Sequence, residues 1–309
     1  MVKKILISTS SFGKDSPEPL QLLQKNGIQY VLNPHGRKVE REELLALAKD
    51  CDGVIAGTEK YDAAALAALP NLKSISRCGA GMDGVDLEAA KKAGVRVMAT
   101  PDAPTQAVAE LAVGLMLDAC RKISRMDRAM RKGEWKKEMG GLMEGKSVGI
   151  IGLGRIGRRV AELLSPFGVK IIAVEPNPDR EWMRKNQASL VTMDELLKQA
   201  DIISLHVPLT QENRNLLDAD RLSKMKKGAI LINTSRGGLV DERALKEALK
   251  SGPLGAAALD VYVKEPYDGD LKELENIILT PHIGAYAKEA RIRMEMEAAG
   301  HIIEMLGQD

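Results

Sequence analysis

Residues 148–175 read VGIIGLGRIGRRVAELLSPFGVKIIAVE, and this stretch decides the fold. An apolar run leads into three glycines, Gly152, Gly154 and Gly157, and an amphipathic helical pattern follows. In such a turn the first glycine allows the tight bend, the second lets backbone approach a pyrophosphate, and the third lets helix and strand pack closely. A second apolar run ends at Glu175, 18 residues after Gly157, where a carboxylate can accept from ribose hydroxyls. The stretch therefore predicts a dinucleotide-binding βαβ unit.

Composition excludes several classes of protein. The chain has 309 residues, enough for two domains, and a net charge of +2, which favours neither nucleic acid nor a membrane surface. The basic run 121–137 is most simply a solvated helix face. No apolar run is long enough to cross a membrane, and the first residues read as a strand rather than a signal peptide. Three scattered cysteines suit a reducing cytosol, so we expect a cytoplasmic protein without a metal site.

Strand and helix patterns alternate along the chain, which predicts two doubly wound α/β units with parallel sheets. A break at residues 100–104 separates the two series. Before it we predict strands at Lys4–Ser8, Gln29–Leu32, Gly53–Ala56, Lys73–Arg77 and Val95–Met98, with helices between them. After it we predict one long helix over Thr105–Arg131, the dinucleotide unit, and strands at Asp201–His206, Ala229–Asn233, Ala256–Asp260 and Ile277–Leu279. A last helix, Lys288–Leu306, could belong to either unit, and the pattern alone leaves this open.

Three polar residues follow apolar strands of the second series, where open α/β sheets place their sites. Arg236, beside two glycines, can present its planar fork to a carboxylate or keto oxygen. His282 can donate a proton near neutral pH, and a carboxylate such as Glu265 would hold its orientation. Taken singly, Arg236 is explained equally well as a surface arginine, Glu265 is better explained as a solvated loop acid, and the alternative of a capping histidine is the less favoured one for His282.

Two further stretches are candidates for binding. Arg77 and the glycines of Gly79-Ala80-Gly81 follow a strand, and their backbone N–H groups can converge on a substrate carboxylate. The simpler interpretation is a plain strand-to-helix turn. His206 ends a strand before Val207 and Pro208 and is expected to line the cofactor pocket.

The motifs GLGRIG, NTSRGGLVDE, AALDVYVKEP and LTPHIGA occur in the order and spacing of the D-isomer-specific 2-hydroxyacid dehydrogenases. The chain resembles this family, and most nearly its phosphoglycerate dehydrogenase-like branch. The resemblance implies a homodimer that uses NAD. It implies a flavodoxin-like substrate domain, residues 1–98 with 285–309, and a Rossmann nucleotide domain over 99–284 that also forms the dimer interface. We also expect no regulatory domain after residue 309.

The resemblance implies a role for each candidate residue. Arg236 would bind and polarise the substrate, His282 would be the acid/base, and Glu265 would be its partner. The cofactor would be held by the three glycines and by Arg155, Ile156, Glu175, His206, Val207, Pro208, Thr234, Ser235, Asp260 and Gly284. The substrate carboxylate would lie at Arg77 and at Gly79, Ala80 and Gly81.

The chain departs from the branch at three positions. Phosphoglycerate-specific members often carry an arginine where this chain has Gly57, and a glycine and an asparagine where it has Asp102 and Pro104. We still expect a substrate with an anionic or polar tail, 3-phosphoglycerate being the leading candidate, and we expect that tail to be held by Arg77 and by Arg37 and Lys38 in an adjacent loop.

Other functions remain open. The substrate could be hydroxypyruvate or glyoxylate rather than a phosphorylated acid. The chain could also be a formate or phosphonate dehydrogenase, or an NAD-sensing binding protein like the family's co-repressors. The complete set of arginine, acid and histidine favours an enzyme over a sensor.

Overall fold

The computed structural model describes residues 2–307. The chain divides into two compact units: one runs to Pro104 and includes the segment from Ala285 onward, and the other is Thr105–Gly284. Each unit has its own parallel sheet covered by helices, which confirms the predicted α/β class.

The first unit contains a five-stranded sheet in the order β2-β1-β3-β4-β5, the flavodoxin-like order. Asp62 and Asp86 each accept a hydrogen bond from a backbone N–H of the helix they precede, so these two helices begin at capped ends. The strands are β1 (Lys4–Ile7), β2 (Gln29–Leu32), β3 (Gly53–Ala56), β4 (Ser74–Arg77) and β5 (Arg96–Ala99). The helices are α1 (Glu18–Lys25), α2 (Arg41–Ala48), α3 (Ala63–Ala67) and α4 (Leu87–Lys92).

The second unit contains a seven-stranded sheet in the order β12-β11-β10-β9-β6-β7-β8, a Rossmann order with one further strand. Its strands are β6 (Ser147–Ile151), β7 (Lys170–Val174), β8 (Ser189–Leu190), β9 (Ile202–Leu205), β10 (Ala229–Asn233), β11 (Leu254–Leu259) and β12 (Ile277–Leu279). Its helices are α5 (Thr105–Arg121), α6 (Ile123–Arg131), α7 (Arg155–Leu164), α8 (Arg180–Lys185), α9 (Met193–Gln199), α10 (Ala219–Ser223) and α11 (Glu242–Lys250).

The last helix, α12 (Lys288–Gly307), belongs to the first unit. Its apolar side chains, among them Met294, Ala298 and Ile302, are buried in one cluster with Ile5 and Ile7 of β1. A strand buried on both faces needs helices on both, and α12 supplies one of these covers. This packing answers the question that the sequence pattern left open.

The predicted long helix over Thr105–Arg131 is wrong as a continuous element. Lys122 adopts a left-handed backbone with φ 56°, and this ends α5 before α6 begins. The Asp118 carboxylate accepts from the backbone N–H of Ser124 at 2.8 Å and so stabilises the new helix start. The short elements α8, β8 and α10 were also not predicted.

All three cysteines are buried and free. Over residues 2–307, no helix has the length and apolar character that crossing a membrane requires.

Candidate functional site

The glycine turn after β6 has the tight geometry that its sequence predicts. Gly152 has φ 96°, and a Cβ there would lie 2.7 Å from the carbonyl oxygen of His206. A Cβ at Gly157 would lie 2.0 Å from the carbonyl oxygen of Gly152, so only glycine lets α7 pack this closely on the strand. At both positions a side chain would clash with the backbone, so the turn requires glycine there.

The same turn leaves room for an anion. A Cβ at Gly154 would meet no atom within 4 Å, so this backbone faces open space. Gly154 precedes α7, and no side chain caps the N-terminus of that helix. Free N–H groups and the helix dipole favour a phosphate at such a place. Arg155 and Ile156, the predicted cofactor residues, form the first turn of this helix. This arrangement fits a dinucleotide pyrophosphate.

Glu175 lies directly beyond β7, and its carboxylate is held against the glycine turn. One oxygen accepts from the backbone N–H of Leu153 at 2.8 Å, and the other accepts from that of Asn177 at 2.9 Å. These two backbone N–H groups fix the orientation of the carboxylate, because a backbone donor moves only when the main chain moves. A fixed carboxylate beside a pyrophosphate site suits recognition of ribose hydroxyls.

The ends of β9 and β10 contribute the next group of predicted cofactor residues. Nε2 of His206 lies 2.8 Å from the hydroxyl of Ser204, and burial lowers the pKa of His206 to about 4, so the ring is neutral near pH 7. Ser235 donates to the carbonyl oxygen of Val207 at 2.5 Å, which joins the two strand ends. The Oγ1 atom of Thr234 is buried and has no hydrogen-bond partner among residues 2–307. Pro208 is exposed at the start of the following loop.

Arg236 lies just beyond β10, where two loops pass in close contact. A Cβ at Gly237 would lie 1.9 Å from the carbonyl carbon of Tyr262, so only glycine permits this approach. The carbonyl oxygen of Arg236 accepts from the side-chain amide of Asn233 at 2.8 Å, and its Nη1 donates to the carbonyl oxygen of Ser235 at 2.7 Å. The arginine is therefore held close to the loop that carries Glu265.

His282 and Glu265 form a pair, as the sequence suggested they could. Nδ1 of His282 lies 2.8 Å from Oε2 of Glu265, while Oε1 accepts from the backbone N–H of Tyr262 at 3.1 Å. Both side chains are part-exposed, at 45% and 37%. Nε2 of His282 has no partner within the described part of the chain, so it is available for proton transfer to a bound molecule. A histidine held at one nitrogen and available at the other is suited to general acid–base catalysis.

Asp260 fixes the backbone on which His282 lies. It is 1% exposed. One of its oxygens accepts from the hydroxyl of Thr280 at 2.6 Å and from the N–H of Ile283 at 2.8 Å, and the other accepts from the N–H of Gly284 at 2.8 Å. His282 itself has a left-handed φ of 54°, which histidine tolerates better than most residues. Charged hydrogen bonds on both sides of His282 thus stabilise this turn.

The first unit carries the remaining predicted residues at the carboxyl edge of its own sheet. Nη1 of Arg77 donates to the carbonyl oxygen of Cys78 at 3.0 Å, and it lies 3.3 Å from that of Ala56. The N–H of Gly79 is engaged by the hydroxyl of Thr100 at 2.8 Å. The N–H groups of Ala80 and Gly81 have no hydrogen-bond partner in the described chain, so two of the three predicted amides are available to an anion.

Two residues at this edge were not singled out from the sequence. Glu59 is 5% exposed, and its carboxylate accepts from the hydroxyl of Ser8 at 2.8 Å. An acid three residues beyond an apolar strand was the available signal, but burial distinguishes it from a solvated loop acid. No group of three or more His, Cys, Asp or Glu side chains in residues 2–307 could hold a metal ion.

Comparison with known proteins agrees with this geometry. Residues 113–284 match the family described as "D-isomer specific 2-hydroxyacid dehydrogenase, NAD binding domain". A D-3-phosphoglycerate dehydrogenase of Archaeoglobus fulgidus is 39% identical over 94% of this chain, and the chain spans 55% of that protein's length. A hydroxypyruvate reductase of Thermotoga maritima is 39% identical over 92% of this chain and 96% of its own length.

A solved structure has the same fold. The TT0316 protein of Thermus thermophilus has a TM-score of 0.91 and 35% identity, over 99% of this chain and 97% of its own. The matched NAD binding domain contains the glycine turn, Glu175, Arg236, Glu265 and His282. The chain therefore belongs to the D-isomer-specific 2-hydroxyacid dehydrogenase family and carries its NAD binding domain.

Proposed function

We propose that this protein is an NAD-dependent oxidoreductase that interconverts a small D-2-hydroxy acid and its 2-keto acid. The pair of His282 and Glu265, with Nδ1 and Oε2 2.8 Å apart, is the observation that carries the proposal. It lies in the same compact unit as the glycine turn. A protein that only sensed NAD would have no need of an oriented proton donor.

Each site residue has one task in the proposed reaction. NADH, when bound at the glycine turn, supplies the hydride that reduces the carbonyl carbon. Arg236 binds the substrate carboxylate and stabilises negative charge that develops on the carbonyl oxygen. His282 donates its Nε2 proton to that oxygen, and Glu265 holds the ring in place through Nδ1. In the oxidising direction the neutral ring of His282 accepts the hydroxyl proton.

The turn after β4 of the first unit is a second candidate site for an anion. The N–H groups of Ala80 and Gly81, beside Arg77, suit the carboxylate that all 2-keto acids share. The named relatives act on different tails: one is a phosphoglycerate dehydrogenase and the other a hydroxypyruvate reductase. Because all of these substrates share the carboxylate, the contacts made by the rest of the molecule, its tail, determine which 2-keto acid is the substrate.

A panel of 2-keto acids tests the proposal. Purified protein is mixed with NADH and glyoxylate, hydroxypyruvate, pyruvate or 3-phosphohydroxypyruvate, and loss of absorbance is followed at about 340 nm. We expect at least one acid to be reduced catalytically. Tight NADH binding without turnover of any of the four acids would support the sensor instead.

We also predict a preference for NADH over NADPH. Glu175 is fixed by two backbone donors and cannot move away from a 2′-phosphate. Facing like charges cost several kcal/mol, so kcat/KM should favour NADH by about a hundredfold. Glu175→Gln should lower the ratio of kcat/KM with NADH to kcat/KM with NADPH. Glu181→Gln, which changes an exposed acid on α8, should leave this ratio unchanged. Equal kcat/KM values for the two cofactors in the wild type would contradict the role of Glu175.

We propose that the protein is a homodimer that works in the reducing cytoplasm. Its three free cysteines suit that compartment. Exposed large apolar side chains are concentrated on residues 123–142: Ile123 (55%), Met130 (50%), Trp135 (80%), Met139 (90%) and Leu142 (67%). Concentrated exposed apolar surface marks an association site, and the resemblance assigns this domain to the dimer interface.

Sedimentation equilibrium tests the dimer. The double variant Trp135→Ser/Met139→Ser should raise the dimer dissociation constant by about tenfold or more. The reason is that each Å² of apolar surface buried in the interface contributes about 25 cal/mol to the free energy of association. The matched control is Leu190→Ser, an exposed leucine on β8. A monomeric wild type at micromolar concentration would overturn this proposal.

A further inference from the structure

Arg158 on α7 contacts two loops at the carboxyl edge of the seven-stranded sheet. Its Nε donates to the carbonyl oxygen of Leu153, in the glycine turn after β6, at 2.8 Å. Its Nη1 donates to Oδ2 of Asp179, in the loop after β7, at 2.9 Å. The guanidinium is a rigid planar fork, so its nitrogens hold both contacts in one fixed geometry. One side chain therefore joins the glycine turn to the neighbouring loop.

Leu153, the residue between Gly152 and Gly154, is held at both of its backbone polar groups. Its N–H donates to Oε2 of Glu175 at 2.8 Å, and its carbonyl oxygen accepts from Arg158. A trans peptide places its C=O and N–H on opposite sides, so the bond from Arg158 also fixes the direction of the Gly154 N–H. That N–H has no hydrogen-bond partner in the part of the chain that the structure describes. The arginine thus orients an amide that is available to a phosphate.

The other end of the contact is anchored at the start of α8. Oδ1 of Asp179 accepts from the backbone N–H of Trp182 at 3.0 Å, so this acid caps the helix. The guanidinium carbon of Arg158 lies 5.5 Å from the centre of the Trp182 ring, within the range of a cation–π contact. Glu175 and Asp179 are the two ends of the segment 175–179. Both ends are therefore tied to the glycine turn, one directly and one through Arg158.

We propose that Arg158 is a positioning residue for the cofactor, which holds the glycine turn and the segment 175–179 in the arrangement that NADH requires. This inference rests on the proposed function and deepens it. A site whose parts are fixed before the cofactor binds loses less conformational freedom on binding, so the arginine should raise the affinity for NADH. Arg158 takes no part in hydride or proton transfer.

The test measures the dissociation constant for NADH by fluorescence titration, which requires no turnover. Arg158→Met keeps an apolar side chain on α7 and removes its donors. NADH binding should weaken by about tenfold, the factor that corresponds to one charged hydrogen bond. In steady-state kinetics KM for NADH should rise similarly, while kcat at saturating NADH should stay within about twofold of the wild-type value.

The matched control is Arg159→Met, which removes the same charge from the same helix. Arg159 donates to Oε1 of Gln106 at 2.6 Å and lies 3.1 Å from Oε2 of Glu162. Neither partner belongs to the glycine turn or to the segment 175–179. If the effect of Arg158→Met comes from positioning rather than from the loss of a positive charge, Arg159→Met should bind NADH with wild-type affinity.

Two further variants separate geometry from charge. Arg158→Lys keeps the charge but has one nitrogen in place of the planar fork, so it should not restore the wild-type affinity for NADH. Asp179→Asn retains a side chain that can cap α8 and weakens the contact with Arg158, so it should also weaken NADH binding. Combined with Arg158→Met, it should have little additional effect, because both residues act through the same contact.

Four results would overturn the inference. They are wild-type NADH affinity in Arg158→Met, wild-type affinity in Arg158→Lys, full additivity of Arg158→Met and Asp179→Asn, and a lower kcat at unchanged affinity. The side chains of Arg158 and Asp179 are 33% and 43% exposed, so losing their ion pair should cost little folding stability, which the thermal unfolding midpoint checks. If Arg158→Met does not fold, the NADH affinity of Asp179→Asn decides. A protein that binds NADH but reduces no keto acid would contradict the proposed function and leave this inference intact.

Discussion

Replacing His282 by asparagine should reduce kcat for keto-acid reduction by a factor on the order of 10²–10⁴, because the proton donor is lost. Asparagine suits the left-handed backbone at this position, where φ is 54°. The loop held by Asp260 should therefore keep its conformation. The dissociation constant for NADH, measured by fluorescence titration, should stay within about twofold of the wild-type value, since the glycine turn and Glu175 are untouched.

The matched control is His35→Asn, which changes an exposed histidine of the first unit. This variant should retain wild-type kcat. Full activity in His282→Asn would remove His282 from the mechanism. Weaker NADH binding with unchanged kcat would instead assign His282 to the cofactor site.

Replacing Arg236 by glutamine should lower kcat/KM by a factor on the order of 10²–10³, the loss seen when one preorganised group that stabilises transition-state charge is removed. The guanidinium binds the carboxylate in the ground state and the developing oxyanion in the transition state, so KM should rise and kcat should fall together. Steady-state kinetics with hydroxypyruvate and NADH separate these two effects.

Arg243→Gln is the control for this experiment, because Arg243 is an exposed arginine on the neighbouring helix α11. A rise in KM at constant kcat in Arg236→Gln would limit Arg236 to substrate binding. An unchanged kcat/KM would contradict its assignment altogether.

Most of the fold could be predicted because the apolar runs are periodic and bounded by glycine, proline or polar turns. Five strands were predicted with their observed bounds, among them β3 (Gly53–Ala56) and β10 (Ala229–Asn233). The interruption at Lys122 could not be predicted, because the sequence is helical on both sides of it. The break depends on a left-handed lysine and on the bond between Asp118 and Ser124. Short elements such as β8 have too few residues to show a period.

The site could be predicted in part for a related reason. Arg236, Glu265 and His282 follow strands, and the carboxyl ends of parallel strands lie on one edge, so topology brings them near one another. The contacts of Asp260 and the burial of Glu59 follow from tertiary packing across strands distant in sequence. Asp260 was predicted only to line the cofactor, and the structure shows both of its oxygens accepting hydrogen bonds from residues 280–284.

We propose that Arg236, Glu265 and His282 act together in the reduction of a 2-keto acid by NADH to a hydroxy acid of D configuration. To test this most directly, the wild-type protein is incubated with NADH and excess hydroxypyruvate, and the product is analysed by chiral chromatography. We expect one D-glycerate to form for each NADH oxidised by the wild type, and almost no D-glycerate to form with His282→Asn. Formation of L-glycerate, or oxidation of NADH without glycerate, would contradict it.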